Sequence, residues 1–86
     1  MDTIEMNRKA VWLLQEWDPL KFGIDAYETE IADVVASLHD IDHPSELARK
    51  IQEVYEHSFE QWIPLEKCVE ISYKLIALKY EMKCII

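Results

Sequence analysis

The chain has 86 residues, half of them hydrophobic, and its 17 acidic against 9 basic side chains give a net charge of −8. A chain of this length buries only about 60–70% of the surface that its unfolded form exposes, so residues 1–86 are predicted to form a single domain with one core. The charge argues against binding to nucleic acid or to an anionic membrane, which requires Lys and Arg, and the single glycine excludes glycine-rich phosphate-binding loops.

The sequence indicates a cytoplasmic location. Residues 1–5 lack the basic and apolar regions of a signal peptide, and no apolar run approaches the roughly 20 residues of a transmembrane helix. The two cysteines, Cys68 and Cys84, have the spacing of neither a disulfide framework nor a metal finger. Reduced thiols of this kind are typical of cytosolic proteins.

The first helix is predicted from about Thr3 to Trp17. Its apolar residues fall on one stripe at helical spacing. They are Met6, Ala10, Leu13, Leu14 and Trp17. Asp2 or Thr3 is expected to cap the N-terminus of this helix.

A short helical turn is predicted after the first helix. Asp18 ends that helix because it precedes Pro19, and the residue before a proline avoids the α region. The same pair can open a new turn, with Asp18 as its cap and Pro19 at its first position. Gly23 is expected to close this turn as a C-cap.

A second helix is predicted from about Ala26 to Leu38. Asp25, followed three residues later by Glu28, is a capping-box pattern. The apolar face of this helix consists of Tyr27, Ile31, Val34, Val35 and Leu38. Alternation with a period of two is absent throughout the sequence, so strands are not expected.

Pro44 and Pro64 mark the starts of a third and a fourth helix. The apolar stripe of the third helix runs from Leu47 to Phe59. In the fourth, which reaches about Lys83, apolar residues cover more than half of the circumference and are interrupted by Lys79. A helix of this kind is either the one around which the others pack or part of a subunit interface, so homo-oligomerisation is one hypothesis. The predicted fold class is all-α, a compact array of four helices with short connections.

Acidic side chains are concentrated in the second helix and the loop that follows it. No basic residue lies between Lys21 and Arg49. The candidate partner-binding acids in this interval are Glu28, Glu30, Asp33, Asp40 and Asp42. Such a run is either a solvated face or a docking surface for a basic protein, in which complementary potentials speed association and set specificity.

Trp12 is the other candidate partner-binding residue. It projects almost opposite the apolar stripe of the first helix, among Glu5, Arg8, Lys9 and Glu16. An aromatic side chain in these surroundings is either covered by another segment of the chain or exposed to a partner, and Trp is enriched at binding hot spots. The sequence leaves both interpretations open.

No catalytic centre, metal site or cofactor is predicted. Cys68 and His57 are the residue types of a nucleophile pair, but Cys68 falls in the apolar stripe, where a free cysteine behaves as a small hydrophobe. A di-metal carboxylate bundle needs Glu-x-x-His on two helices, and Glu53 and Glu56 lack that spacing to His57. The segment His39–His43 holds two His and two Asp as candidate metal ligands, and an exposed polar loop is the favoured interpretation.

The segment Trp17–Gly23, with the sequence WDPLKFG, followed by Asp25, Tyr27, Glu30 and Ile31, resembles a family of small proteins from Bacillus-type bacteria, the YugE-like domain of unknown function. The likeness continues through the segments Asp33–Val35, Leu38–His39, Leu47–Ala48, Ile51–Gln52 and Tyr55–Pro64. It implies a compact helical domain in a bacterial cytosol and supplies neither an activity nor site residues.

The same Trp-Asp-Pro core is similar to a pattern in small acidic proteins associated with bacterial toxin-immunity loci, with Phe22 where that pattern has an aliphatic residue. The sequence favours a non-catalytic protein–protein interaction module that binds a basic protein. The alternatives are an immunity- or antitoxin-like inhibitor of a basic partner, and a small metal-binding protein or enzyme that uses the segment His39–His43.

Overall fold

The computed structural model describes residues 3–84, without the side chains of residues 3, 24, 25 and 82–84. The α-helices are α1, Thr3–Trp17; α2, Glu28–Asp40; α3, Pro44–Phe59; and α4, Leu65–Cys84; a 3₁₀ helix, Ile24–Tyr27, precedes α2. No strand occurs between residues 3 and 84, so the prediction of an all-α array of four helices is confirmed. The predicted caps, Asp2 or the Thr3 side chain for α1 and the Asp25 side chain for α2, lie outside the described part.

Each helix packs on the next one in sequence, and α4 closes the array by packing on α1. The short connections make neighbouring helices antiparallel. At one end of the array α1 meets the last turns of α3, with the rings of Trp17 and Tyr55 5.6 Å apart. At the other end the start of α1 meets the end of α2, where His39 Nε2 lies 2.8 Å from Asn7 Oδ1. Because the helices pack in the cyclic order α1, α2, α3, α4, the α1–α4 side and the α2–α3 side are opposite surfaces of the molecule.

The predicted apolar stripes meet in one core, to which every helix contributes. Leu14 of α1, Leu38 of α2, Ile51 of α3 and Leu75 of α4 are fully buried in it. Burial of a side chain of this size stabilises the fold by about 1.5–3 kcal/mol. Helix α4 packs on both α1 and α3, which buries Cys68, Ile71, Leu75 and Ile76 of its apolar arc, whereas Leu65 is 44% exposed. Among the residues that the structure describes, none of the helices combines the length and the hydropathy of a membrane span.

The connection between α1 and α2 is not the predicted helical turn. The N–H of Lys21 donates to the Asp18 carbonyl at 3.3 Å, which closes one turn only, and these two residues have positive φ angles of 58° and 33°. Gly23, with φ 101° and ψ 165°, precedes the 3₁₀ helix instead of ending a helical segment. Glycine adopts this φ without strain. The α-helix then begins at Glu28 and not at Ala26, because the residues before it are wound as a 3₁₀ helix.

The buried Tyr27 side chain ties this connection to the core. Its hydroxyl donates to Asp18 Oδ1 at 2.5 Å and accepts from the N–H groups of Leu20 at 3.2 Å and Phe22 at 3.3 Å. The Asp18 carboxylate also accepts from the N–H of Gly23 at 3.3 Å. These hydrogen bonds, above all the one from Tyr27, lower the pKa of Asp18. The connection therefore has a structural role that requires its Asp, its Gly and the Tyr that follows.

Candidate functional site

Three acidic side chains lie on the exposed side of α2, spread over the length of the helix. Glu28, Asp33 and Asp40 all face solvent, and none of them has an ion-pair partner among the described residues. We call these three residues the acidic face. Their exposure agrees with the prediction that α2 presents a negative surface.

Glu30 does not belong to the acidic face, which corrects the prediction for this residue. Only 8% of its surface is exposed. Helical geometry explains the burial, since Glu30 lies three residues after Tyr27 and four before Val34, and both of these are buried. This spacing is visible in the sequence and could have placed Glu30 at the edge of the core.

Asp42 is exposed but is already paired within the chain. Its Oδ1 lies 2.9 Å from Nζ of Lys79, a residue of α4 that is only 4% exposed. The same ammonium group donates to the carbonyl oxygens of Leu38 at 2.7 Å, His39 at 3.2 Å and Ile41 at 3.1 Å. Asp42 therefore serves first to neutralise a buried lysine, and it is a weaker candidate for partner binding than the acidic face.

Lys79 caps the C-terminus of α2 from another helix. The last carbonyl groups of a helix lack partners within it, and a positive charge near this end interacts favourably with the helix dipole. Lys79 supplies both the hydrogen bonds and the charge. Its ammonium group forms an ion pair with Asp42 and, among the described residues, none with the acidic face.

A groove of about 340 Å³ lies between α2 and α3, beside the acidic face. Asp33 lines it from α2, and Lys50, Glu53, Glu56 and His57 line it from α3. The three carboxylates outnumber the single lysine, so this α2–α3 groove extends the negative potential of the acidic face onto α3. Apart from Asp33, its residues were not predicted as a site, since their approach to α2 depends on helix packing.

Trp12 is 58% exposed, and no described segment of the chain covers it. It lines a shallow cleft of about 350 Å³ between α1 and α4. Leu13 and Leu78 give this cleft an apolar lining, and Lys9 and Glu81 give it one charge of each sign. We call it the Trp12 cleft. Sequence reasoning missed Leu78 and Glu81 because they lie on α4, far from Trp12 along the chain.

Cys68 and His57, the residue types of a nucleophile pair, lie in different surroundings. Cys68 is a free, buried cysteine, and burial raises its pKa to about 11, so the thiol stays protonated at neutral pH. His57 is exposed and lines the α2–α3 groove. In the segment proposed for metal binding, Asp42 is paired with Lys79, and among residues 3–84 no group of three or more His, Cys, Asp or Glu side chains could hold a metal ion.

Comparison with known proteins finds relatives over nearly the whole chain. Residues 9–85 match the family described as Domain of unknown function (DUF1871). The chain is 39% identical over 84 residues to the uncharacterised protein YugE of Bacillus subtilis (strain 168), and the match covers 98% of each chain. It is also similar to a protein from Bacillus stearothermophilus whose crystal structure has been determined, with a TM-score of 0.88 and 32% identity over 91% of this chain and 96% of that one.

Proposed function

Because the chain belongs to the bacterial DUF1871 family, which is described only as a domain of unknown function, we propose its function from its surface: it is a non-catalytic interaction module that binds a basic protein through the acidic face and the α2–α3 groove. The observation that carries this proposal is the set of exposed carboxylates at Glu28, Asp33 and Asp40, none of which has an ion-pair partner among the described residues.

The distribution of charge over the molecule supports this surface. Residues 22–48 contain no Lys or Arg, whereas acidic and basic residues are nearly balanced in α1 and α4. The net charge of −8 is therefore concentrated on the α2–α3 side. A concentrated field attracts a basic partner and orients it during encounter.

The small side chains on the exposed side of α2 also support close approach of a partner. Ala32 and Ala36 are exposed between the carboxylates of the acidic face. Small side chains at these positions leave the helix surface low, so a basic segment can approach the carboxylates without displacing long side chains. The adjoining α2–α3 groove offers space for an extended Lys or Arg side chain beside Asp33.

The experiment is capture of binding proteins from a Bacillus lysate, followed by titration of the purified partner. The test variant is Asp33→Lys/Asp40→Lys, and the matched control is Glu66→Lys/Glu70→Lys. All four positions are exposed and both variants change the net charge by the same amount, but only the first pair lies on the acidic face. Circular dichroism must show that each variant stays helical.

We expect a basic protein to be captured and its affinity to fall about 10–100-fold in the test variant, because reversing surface charges opposite a basic partner costs on the order of 1–3 kcal/mol. The control should bind within about 3-fold of wild type, and binding should weaken as salt is added. Equal losses in both variants, or capture of no basic protein, would refute the proposal.

The identity of the captured protein also separates an adaptor from an inhibitor. An immunity- or antitoxin-like protein would use the same surface to cover a basic toxin. If the captured protein is a toxin or nuclease that loses activity when bound, the inhibitor is the correct description. If the captured protein keeps its activity, the module is an adaptor.

A further inference from the structure

We propose that the Trp12 cleft is a homodimer interface in which two copies of this chain pair about a two-fold axis. The cleft lies between α1 and α4, on the side opposite the acidic face. It combines the exposed Trp12 ring, the apolar side chains of Leu13 and Leu78, and two side chains of opposite charge, Lys9 and Glu81. The occupant that fits this combination is a second copy of the same surface.

The apolar part of the cleft suits a tryptophan from outside. Its volume of about 350 Å³ lies at the small end of the range for ligand sites, about 300–1,000 Å³. The cleft can therefore accept an aromatic side chain but not a larger ligand. A large aromatic residue such as Trp, buried at the centre of an interface, provides much of the binding energy. Around a two-fold axis, Trp12 of each copy can enter the cleft of the other.

The charged part of the cleft is complementary to itself. A two-fold interface places the same patch on both subunits, so residue i of one copy faces residue j of the other and the reverse. Lys9 of each copy would then face Glu81 of the second copy. Within its own chain Lys9 lies 3.8 Å from Glu5, with both side chains about half exposed, and an exposed pair of this kind holds Lys9 only weakly.

The charge of the whole molecule restricts which surfaces can meet. Two copies that each carry a net charge of −8 repel each other. The repulsion is strongest where the α2–α3 sides approach and weakest where the nearly balanced α1–α4 sides approach. Homodimer formation is thus directed to the side that holds the Trp12 cleft. Pairing there leaves both acidic faces exposed, so the dimer would bind basic partners bivalently.

This inference goes beyond the proposed function and does not depend on it, because the two surfaces and their variants are separate. The test is sedimentation velocity of the full chain over a dilution series from about 1 mM to 1 μM. Trp12→Ala removes the aromatic anchor, and Trp62→Ala is its matched control, since Trp62 is also highly exposed at 66% but lies in the loop before α4. Lys9→Glu, Glu81→Lys and the double variant Lys9→Glu/Glu81→Lys test the charge pairing without removing apolar surface.

We expect wild type and Trp62→Ala to have the same dimer dissociation constant. In Trp12→Ala this constant should rise by about 30-fold or more. Each single charge reversal should weaken the dimer about 10-fold, and the double variant should regain wild-type affinity within about 3-fold, because it restores both ion pairs with reversed polarity. A wild-type chain that is monomeric throughout the series overturns the proposal and leaves the cleft to a different protein. A dimer that survives Trp12→Ala, or a double variant that is not rescued, overturns it as well.

Discussion

Replacing Lys79 with methionine removes the group that holds the C-terminal end of α2 against α4. In the wild type the Lys79 ammonium group bonds the carbonyl oxygens of Leu38, His39 and Ile41 and pairs with Asp42. Methionine keeps the apolar stem of the side chain, so packing in the core changes little. The substitution therefore isolates the contribution of the charge and its hydrogen bonds.

The magnitude follows from the exposure of each acceptor. The bond from Lys79 to the Leu38 carbonyl is 2.7 Å long and buried, and a buried carbonyl left without a partner costs about 1–3 kcal/mol. The bonds to His39 and Ile41 are only partly buried, so water replaces them at small cost. Methionine also removes the cost of burying a charge. The expected loss in the free energy of unfolding is about 2 kcal/mol.

Asp42→Asn is the matched control. It keeps the size of the side chain and removes only the ion pair, whose carboxylate is 52% exposed. The Lys79 side chain in this pair is only 5% exposed, but three carbonyl oxygens still bond its ammonium group, so the loss of the half-exposed carboxylate is expected to cost about 1 kcal/mol. If carbonyl capping is the main role of Lys79, then Lys79→Met must cost clearly more than Asp42→Asn.

The assay is urea unfolding of both variants followed by far-ultraviolet circular dichroism, supported by thermal unfolding. For a chain of this size about 2 kcal/mol corresponds to a decrease in Tm of roughly 8–16 °C. The reasoning is refuted if Lys79→Met lies within about 0.5 kcal/mol of wild type, or if Asp42→Asn costs as much. The first result would mean that the desolvation cost of the ammonium cancels its bonds, and the second that the ion pair dominates.

The remaining predictions concern the connection after α1 and the aromatic residues beneath it. The Tyr55 hydroxyl is buried without a hydrogen-bond partner among the described residues, so Tyr55→Phe should leave the free energy of unfolding unchanged or raise it by up to about 1 kcal/mol; a loss above about 1 kcal/mol in urea unfolding would show that the hydroxyl has a partner. Gly23 has a φ of 101° and no atom within 4 Å of where a Cβ would stand, so Gly23→Ala should cost about 1–2 kcal/mol through backbone strain alone, and a neutral result would contradict this backbone geometry. Hydrogen bonds lower the pKa of Asp18 in the folded state, so its contribution to stability is present above its unfolded pKa of about 3.9 and is lost as the pH falls through the lower folded pKa. Urea midpoints measured between about pH 5 and pH 2 should therefore fall more steeply for wild type than for Asp18→Asn, and parallel curves would exclude Asp18 as a source of acid sensitivity.

The helices could be predicted from the sequence because their signals are local. The bounds of α1, Thr3–Trp17, match the prediction, and Pro44 is the first residue of α3 as expected. Pro64 is predicted to start the fourth helix, and α4 begins one residue later, at Leu65. The resemblance to the YugE-like family, first seen in the segment Trp17–Gly23, is confirmed. Predictions from apolar periodicity and proline position hold in the tertiary structure because these signals depend only on residues that are close in the sequence.

The connection between α1 and α2 was predicted wrongly for a physical reason. Its conformation depends on Tyr27, whose hydroxyl reaches back to the Asp18 side chain and to the N–H groups of Leu20 and Phe22. These bonds form only when Tyr27 is buried in the core. Local propensity favoured a helical turn, and the tertiary hydrogen bonds selected a single turn followed by a 3₁₀ helix.

The candidate surfaces could be predicted only in part. The exposure of Asp33 follows from the helical period of α2, and that of Trp12 from its position opposite the stripe of α1. Glu30 was assigned to the surface because it is charged, although its spacing from Tyr27 and Val34 placed it at the core. The Trp12 cleft and the cap formed by Lys79 each join residues of two helices, and no local pattern encodes which helix ends meet.

The composition of α2 is not the one that stability alone would favour. Lysines four residues after Glu28 and Asp33 would form i,i+4 pairs worth about 0.2–0.5 kcal/mol each, yet these positions hold Ala32 and Ser37. Helix α1 does contain such a pair, between Glu5 and Lys9. The basic side chain that α4 brings to α2, Lys79, caps carbonyl groups and neutralises Asp42 instead. A helix that leaves its carboxylates unpaired gives up stability and keeps a strong negative potential, which favours a role for the acidic face in binding a basic protein.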